Sequence, residues 1–286
     1  MLCELCNRRC SKDRAVERGF CGLGERVTVA RYLLHRWEEP PISGTNGSGA
    51  VFFSGCNLRC VYCQNHKISR GAGDEIFTER LPQIFIELQE RGAHNINLVT
   101  PTAFIPPIAS AIRAAKKSGR YIPVVYNTNA FETVEALREL EGLVDVYLPD
   151  LKYFSDGLAL KYSGVRGYFE GATKAILEMR RQTGELELDD NGLARKGLII
   201  RHLALPGLEE DSKQILDWIS NNLPKAYVSL MAQYIPAYRA REYEEINRRI
   251  TRREYDRLVD YFFGVGLKNG FMQELGSASD AYVPDF

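Results

Sequence analysis

The sequence predicts an α/β fold, a partial (β/α)6 TIM-like barrel with parallel strands, preceded by a small N-terminal Cys-rich segment that binds metal. Three observations support this prediction. From residue 50 onward, six short β-rich runs alternate with amphipathic helical stretches. The 286 residues suit one barrel, which commonly takes roughly 200–250 residues, plus a small appendage. All seven cysteines lie within the first 63 residues.

Each predicted strand is a short apolar run, and each predicted helix is apolar at three- and four-residue spacing. The predicted strands are Ala50–Ser54, Asn95–Thr100, Ile122–Asn127, Val144–Leu148, Gly197–Leu203 and Ala226–Ala232. The predicted helices are Leu81–Arg91, Pro106–Lys117, Thr133–Leu140, Ala172–Gln182 and Ser212–Asn221. Parallel strands require helical crossovers, and nearly continuous apolar strands are typical of a sheet buried on both faces. A barrel or partial barrel is the natural closure of such a sheet.

Two further stretches are distinguished by their composition. In Tyr238–Phe263, a predicted helical region after the sixth strand, arginines interleave with acidic residues, so we expect a salt-bridged face exposed to solvent. Before the first strand, Pro40–Ser48 is a dense turn-forming stretch. We place a domain boundary there, between a Cys-rich metal-binding head at residues 1–48 and the barrel at residues 49–286.

Charge balance and the lack of long apolar stretches exclude several classes of protein. The 37 basic and 37 acidic side chains argue against a scaffold for polyanions, so no nucleic acid is expected as a partner. The first ten residues, MLCELCNRRC, lack the apolar run of a secretory signal peptide. Three prolines interrupt the longest uncharged stretch, Ile96–Ile112, so no membrane span is expected. We therefore expect a cytoplasmic protein whose thiols stay reduced and free for metal binding or catalysis.

Three of the cysteines, Cys56, Cys60 and Cys63, form a compact C-x3-C-x2-C loop directly after the first predicted strand. A structural zinc ion takes four protein ligands, and a closed iron-sulfur cluster takes four thiolates. A loop with three thiols therefore leaves one metal position open unless a distant residue fills it.

This loop resembles the signature of the radical S-adenosylmethionine (SAM) enzymes. The resemblance implies that the three cysteines hold three irons of a [4Fe-4S] cluster and that SAM chelates the fourth. It also implies that an electron from the cluster cleaves SAM to methionine and a 5′-deoxyadenosyl radical, which abstracts a hydrogen atom. Tyr62, just before the third cysteine, matches the signature and is implied to lie against the adenine. A zinc knuckle and a plain electron-transfer cluster are the alternatives.

Across residues 50–286, the branch that the chain resembles is that of the pyruvate formate-lyase activating enzymes and their uncharacterised relatives. The segments that carry this resemblance are Tyr126–Phe131 (YNTNAF), Val144–Phe154 (VDVYLPDLKYF), Arg201–Gly207 (RHLALPG) and Ser229–Tyr238 (SLMAQYIPAY). Each falls at the carboxyl end of a predicted strand, where barrel enzymes build their active sites.

The resemblance supplies candidate SAM-binding residues. Asp150 and Lys152 are implied to lie close to SAM, with Asp150 also able to complete a monovalent cation site; the alternative is a structural ion pair. Thr128 and Asn129 are polar candidates from the third strand, weighed against a plain turn role. His202 is a candidate pocket residue because of its position in RHLALPG, although a single histidine in an apolar strand is more often part of the core.

Two departures from the family pattern limit how far the family's SAM-binding residues can be assigned to this chain. Where many radical SAM enzymes carry a GGE-type turn after the second strand, this chain has LVTPT. Thr100 and Thr102, or the backbone around Pro101, would have to bind the SAM amine instead. In the third strand Asn127 stands where the branch commonly has an aspartate, which removes one negative charge from the implied cation site.

The other four cysteines, Cys3, Cys6, Cys10 and Cys21, form the head's C-x2-C-x3-C-x10-C set. Four ligands make a closed tetrahedral site, and thiolates suit either zinc or an auxiliary iron-sulfur centre. The sequence predicts this second metal site and leaves its metal open. A cluster of metal-free thiols is the alternative, and it would oxidise readily.

The functional prediction is a radical SAM iron-sulfur oxidoreductase, with activation of a glycyl-radical enzyme as the nearest named activity. Radical modification of another peptide, an RNA or a metabolite is the first alternative, because a fold does not determine a substrate. An iron-sulfur electron carrier or a zinc-stapled interaction protein is the second. Expected partners are an electron donor such as flavodoxin or ferredoxin and a glycyl-radical enzyme as protein substrate.

Overall fold

A computed structural model describes residues 2–277, which form a largely parallel sheet with helices packed on its outer face. The strands of this part of the chain are β1 (Val27–His35), β2 (Ser48–Phe53), β3 (Asp74–Ile76), β4 (Ile96–Val99), β5 (Val124–Thr128), β6 (Val146–Pro149), β7 (Glu187–Leu188), β8 (Ala194–Leu203), β9 (Tyr227–Met231) and β10 (Gly270–Met272). Its helices are α1 (Pro40–Ser43), α2 (Arg80–Glu90), α3 (Ile105–Lys117), α4 (Val134–Arg138), α5 (Asp156–Ser163), α6 (Tyr168–Thr183), α7 (Glu209–Asn222) and α8 (Arg252–Gly264). None of these helices has the length and apolar character needed to cross a membrane.

The strand order is β10-β9-β8-β6-β5-β4-β2-β1-β3, and the seven strands from β10 to β2 are parallel to their neighbours. The order does not return to its first strand, so the barrel is open. This confirms the predicted partial barrel, because β2, β4, β5, β6, β8 and β9 correspond to the six predicted strands.

The edges of the sheet differ from the prediction. Residues 27–35, assigned to the head, form β1, which pairs antiparallel with β2. The turn-forming stretch Pro40–Ser48 therefore connects two paired strands of one sheet. Short strands such as β3, β7 and β10 have too few residues to show a periodic pattern. The division into domains stays a prediction, and residues 278–286 of the predicted barrel domain lie outside the described residues.

The charged region Tyr238–Phe263 is α-helical only in its second half, and its first half contains two short 3-10 helices. Thr251 ends the irregular part because it forms a capping box, in which its side chain accepts a hydrogen bond from the Glu254 backbone and the Glu254 side chain accepts one from the Thr251 backbone. The predicted salt-bridged face is confirmed, with Arg248 and Glu254 joined at 2.6 Å and Arg239 and Glu242 at 2.7 Å.

The amino end of the barrel is filled by apolar side chains. Ile42 of α1 is fully buried and packs with Val125, Val146 and Ile199 from three parallel strands. Because β1 is antiparallel to β2 and ends opposite Ser48, α1 lies at the amino ends of the parallel strands. The carboxyl ends are left to form a cavity, as in other α/β barrels.

Candidate active site

A cavity of about 270 Å³ lies at the carboxyl ends of the parallel strands and collects most of the predicted site residues. Nine of them line it: Cys56, Cys60, Tyr62, Cys63, Thr100, Thr128, Asn129, Asp150 and Lys152. They come from the segments that follow β2, β4, β5 and β6, or from the last residue of β5. Parallel pairing brings these segments to one edge of the sheet, as the strand-end argument expected.

The three cysteines after β2 are free and only partly exposed. The sulfur of Cys56 accepts hydrogen bonds from the Leu58 backbone at 3.4 Å and from Asn129 Nδ2 at 3.5 Å. Burial raises the pKa of Cys56 to about 11 and that of Cys63 to about 12. The thiols are therefore neutral at pH 7 in the metal-free protein, and a bound metal must displace their protons. Within residues 2–277, no group of three His, Cys, Asp or Glu side chains lies close enough together to hold a single metal ion.

A chain of hydroxyl groups connects Cys60 to the aromatic candidate Tyr62. Ser163 Oγ lies 2.9 Å from the sulfur of Cys60 and 2.8 Å from Tyr153 Oη, and Tyr153 in turn bonds Tyr62 Oη. The ring of Tyr62 lines the cavity while its hydroxyl points into the protein. The Tyr62 ring is thus held in one orientation, with its apolar face available to a flat ligand.

Asp150 and Lys152 are joined at 2.7 Å, but they belong to a larger buried network. Arg201 Nε donates to the other oxygen of Asp150 at 2.7 Å, and Arg201 Nη1 lies 3.1 Å from Glu38 Oε2. Burial alone would raise the pKa of Asp150, but Arg201 and Lys152 outweigh it and hold that pKa below its ordinary value. Asp150 is therefore ionised at neutral pH, and Lys152 keeps further N–H donors for a ligand.

The same network changes the expectation of a monovalent cation beside Asp150. Arg201 Nη2 also donates to Asn127 Oδ1, so its guanidinium bridges Asp150 and Asn127. The guanidinium of Arg201 thus already supplies, next to Asp150, the positive charge that a monovalent cation was expected to supply. An asparagine is the appropriate partner at position 127, because its carbonyl oxygen accepts from Arg201 while its Nδ2 donates to Glu38 at 3.2 Å.

The threonine candidates have an unexpected partner. Thr102 and Thr128 both donate hydrogen bonds from their hydroxyl groups to Oε1 of Glu132. The Glu132 carboxyl is fully buried, and this burial raises its pKa. Thr102 does not line the main cavity, so the expectation that its side chain binds the SAM amine there is not supported. Thr100 does line it and has φ +58°, a left-handed conformation that is rare for a β-branched residue. Such strain is typical of functional sites, so the Thr100 turn keeps its candidacy.

His202 was expected in the pocket, and the structure corrects this. Its Nδ1 donates to the Leu151 carbonyl at 2.7 Å, and its Nε2 lies 2.9 Å from Ser212 Oγ at the start of α7. The ring is 2% exposed and is absent from the cavity lining. Alternation along β8 explains the difference, because Arg201 faces the cavity and the next residue faces the helices.

The buried ring of His202 predicts a pH-dependent stability. Burial lowers the pKa of His202 from 6.5, so the unfolded chain binds a proton that the folded chain excludes. We expect the free energy of unfolding to be fully developed above pH 6.5 and to fall as the pH drops toward the lowered pKa. Urea unfolding of the metal-free protein across this range, beside His202→Gln, measures the effect. An identical decline in both proteins would contradict this assignment.

The four head cysteines line a second, smaller cavity of about 20 Å³. Cys56, Gly55 and Thr100 line this cavity as well as the main one. Two backbone contacts anchor the head beside the main site. The Asn7 backbone N–H donates to the Phe131 carbonyl at 3.0 Å, and Cys6 forms an isolated antiparallel β-bridge with Glu132. No sequence pattern indicates this proximity.

Sequence reasoning missed Arg201, Glu38, Glu132 and Ser163. Arg201 had a usable signal, because a charged residue within an apolar strand is seldom buried unless it is paired. Glu38 lies beyond the cysteine motif of the head and Ser163 lies outside the predicted strands and helices, and both reach their partners only through the tertiary fold.

Comparison with known proteins identifies relatives of this chain. The family model described as the Radical SAM superfamily matches residues 50–219. An uncharacterised protein of Methanocaldococcus jannaschii, MJ0674, is 34% identical over 268 residues, which cover 90% of this chain and 73% of that protein.

Solved structures share the fold at low sequence identity. SuiB of Streptococcus suis bound to S-adenosylmethionine aligns with a TM-score of 0.53 at 16% identity, over 78% of this chain and 49% of SuiB. HydG, a maturase of the [FeFe]-hydrogenase, aligns with a TM-score of 0.52 at 14% identity, over 76% of this chain and 48% of HydG. The chain spans about half the length of these two proteins.

Proposed function

This chain belongs to the radical SAM superfamily, and from that premise we propose that Cys56, Cys60 and Cys63 hold its [4Fe-4S] cluster while the cavity beside them binds SAM. The observation that carries the proposal is that the three thiols, Asp150 and Lys152 line one cavity. Family membership makes the protein a SAM-cleaving enzyme, so the electron carrier and the zinc-stapled scaffold are set aside.

The residues present fit the cluster. Three thiols surround one end of the cavity, and the Leu58 N–H and Asn129 Nδ2 already point at the sulfur of Cys56. Hydrogen bonds of this kind stabilise cluster sulfurs and raise the reduction potential. Lys152 adds a positive charge that lowers the pKa of all three thiols against the effect of burial. Three cysteines leave one iron for SAM, as the family requires.

The cavity also fits the polar and flat parts of SAM. Lys152 has N–H donors for a carboxylate, Asn129 and the Thr100 turn offer short polar groups, and Tyr62 presents a ring face. When bound, the cluster and SAM supply a 5′-deoxyadenosyl radical that abstracts a hydrogen atom. The protein's own contribution is to orient SAM and to keep Asp150 ionised.

We infer that the substrate is a peptide or protein segment, with activation of a glycyl-radical enzyme as the first candidate. The cavity of about 270 Å³ lies near the lower end of common ligand-site volumes, about 300–1,000 Å³, so bound SAM would leave little room in it for a substrate. A substrate would then contact SAM from outside the cavity, which opens to solvent beside Trp37, a lining residue that is 59% exposed. SuiB, which shares the fold, has been solved with a precursor peptide bound.

Two further components complete the proposal. The head cysteines bind a second metal, which their common cavity supports. A flavodoxin or ferredoxin supplies the electron that reductive cleavage consumes.

Replacing Lys152 with methionine is expected to weaken SAM binding about 10- to 100-fold, because a hydrogen bond to a charged group contributes about 1.5–3 kcal/mol. Calorimetry with the reconstituted protein measures the affinity. Lys161→Met is the matched control, since Lys161 pairs with Glu245 at the surface. Equal affinities for Lys152→Met and wild type, at equal iron content, would remove Lys152 from the SAM site.

The substrate class is tested by anaerobic incubation with SAM, reduced flavodoxin and a glycyl-radical enzyme. We expect 5′-deoxyadenosine and the EPR doublet of a glycyl radical on the partner. Formation of 5′-deoxyadenosine that responds only to RNA or to small metabolites would overturn the peptide proposal and leave SAM cleavage intact.

A further inference from the structure

We propose that Glu132 is a positioning residue for SAM binding, because it fixes the hydroxyl group of Thr128 so that this group can only accept a hydrogen bond from the ligand. Glu132 does not line the main cavity itself, whereas Thr128 does. The inference rests on the proposed binding of SAM in that cavity. It adds the kind of ligand group that the end of β5 recognises.

The first observation is that three hydroxyl groups surround one oxygen of Glu132. Glu132 is 1% exposed, and its Oε1 accepts hydrogen bonds from the hydroxyl groups of Thr102 at 2.5 Å, of Tyr126 at 3.3 Å and of Thr128. An oxygen that accepts three hydrogen bonds has no room for a proton of its own, so each hydroxyl group directs its single proton to Oε1. Glu132 therefore determines which way the Thr128 hydroxyl group points.

The second observation concerns the hydrogen-bonding capacity that Thr128 has left. A threonine hydroxyl group has one proton to donate and two lone pairs that accept. In Thr128 the proton is directed to Glu132, and one lone pair accepts from the Ala130 backbone N–H at 3.2 Å. A single lone pair remains. Any hydrogen bond between this hydroxyl group and a ligand in the cavity must therefore be donated by the ligand.

The third observation is that the neighbouring Asn129 is restricted in the same way. Its Nδ2 donates to Asn57 Oδ1 at 2.7 Å and to the sulfur of Cys56 at 3.5 Å, and its Oδ1 accepts from the Phe131 backbone N–H at 3.2 Å. Both amide protons are thus in use, so Asn129 also offers the cavity only an acceptor. Two adjacent acceptors favour an N–H or O–H donor of the ligand, which in SAM is the amine or a ribose hydroxyl group.

The fourth observation is that a carboxyl group is a destabilising choice at this position. Its second oxygen, Oε2, is inaccessible to solvent and has no hydrogen-bond partner among residues 2–277. A buried polar atom without a partner requires an explanation. An apolar side chain would avoid this loss, but it would leave the Thr128 hydroxyl group free to rotate and to donate. The acceptor at Oε1 is thus what the carboxyl group contributes.

The head holds the backbone of Glu132 in place. Cys6 forms its β-bridge with Glu132, and Asn7 Nδ2 donates to the Glu132 carbonyl at 2.7 Å. The next residue, Thr133, donates its hydroxyl group to the Glu4 carbonyl at 3.0 Å. None of these contacts involves the Glu132 side chain. A substitution at position 132 therefore changes the contact with Thr128 and leaves the backbone contacts with the head available.

The test measures SAM affinity by calorimetry on reconstituted variants of equal iron content. Glu132→Met keeps a similar shape without the acceptor, and we expect it to weaken SAM binding about 3- to 10-fold, the contribution of one hydrogen bond. Glu132→Gln keeps an acceptor oxygen and should restore most of the affinity. Tyr126→Phe is the matched control, because it removes a hydroxyl group from the same Oε1 and leaves the Thr128 contact intact. Glu132→Leu replaces Glu132→Met if the latter fails to fold.

Two further comparisons separate positioning from general damage to the fold. Glu132→Met combined with Thr128→Val should bind SAM no more weakly than Thr128→Val alone, because Glu132 acts through Thr128. Among SAM and its desamino, 2′-deoxy and 3′-deoxy analogues, Glu132→Met should spare the one analogue that lacks the donor, and that analogue identifies the donor.

Three results would each overturn the inference: unchanged SAM affinity in Glu132→Met, additive losses in the double variant, or an equal loss for all four ligands. Failure of the proposed function looks different, because the wild type would then bind no SAM at full iron content.

Discussion

Cys60→Ala is expected to lose about four irons per chain and to form 5′-deoxyadenosine no faster than a protein-free control. Cys60 lies between the other two cysteines of its loop, so no neighbouring ligand replaces it. Its sulfur also ends the hydroxyl chain through Ser163 and Tyr153. Iron and sulfide assays with chromatography of the nucleoside product measure both effects.

Ser163→Ala is the matched control for this variant. It removes the group 2.9 Å from the Cys60 sulfur and leaves the thiol itself in place. We expect a full iron content and a cluster that is harder to reduce, because a hydrogen bond to sulfur is lost. If Cys60→Ala kept both its iron and its SAM cleavage, the assignment of the loop would be wrong.

Arg201→Met is expected to lower the free energy of unfolding by about 3–5 kcal/mol and to weaken SAM binding. Arg201 contacts Asp150, Glu38 and Asn127, and its side chain is 13% exposed. Removing one partner of a buried ion pair leaves uncompensated charge, which accounts for a loss of this size. Chemical denaturation of the metal-free protein gives the stability, and calorimetry gives the affinity.

The pH dependence of this loss has a definite sign. In the wild type, Arg201 and Lys152 hold the pKa of Asp150 below 3.8 against burial, so the network stabilises the fold above that pH and fails as the pH falls further. Without Arg201, burial raises the pKa of Asp150, so the deficit should be largest near neutral pH and shrink in acid. Arg195→Met removes an arginine on the same strand whose side chain is 56% exposed in its pair with Asp189, and it should stay close to wild type. A deficit that is equal in both variants would contradict the role of Arg201.

Much of the fold was predictable because the parallel strands are continuous apolar runs separated by amphipathic helices. β2 and β4 to β6 lie close to the expected positions for this reason. β1 was missed because its partly exposed residues carry no clear alternation, and its place is fixed by pairing with β2. The start of α8 could have been read from the capping box of Thr251 and Glu254.

The site residues that belong to a local sequence motif were predictable, and those that are brought together only by tertiary contacts were not. The three-cysteine loop and the Asp150–Lys152 pair are local in sequence, and both line the cavity. We expected His202 in the pocket, but side chains alternate between the two faces of β8. The neighbouring Arg201 therefore lines the pocket instead. Glu38 reaches Arg201 across 163 positions of sequence, and no local pattern encodes such a contact.

The most direct test of the central claim is EPR of the anaerobically reconstituted, reduced wild type before and after addition of SAM, with iron and zinc counts on the same sample. The account predicts a [4Fe-4S] signal that changes on SAM addition and is absent when Cys56, Cys60 and Cys63 are replaced by alanine. A wild type that holds only zinc, or a cluster whose signal ignores SAM, would contradict it.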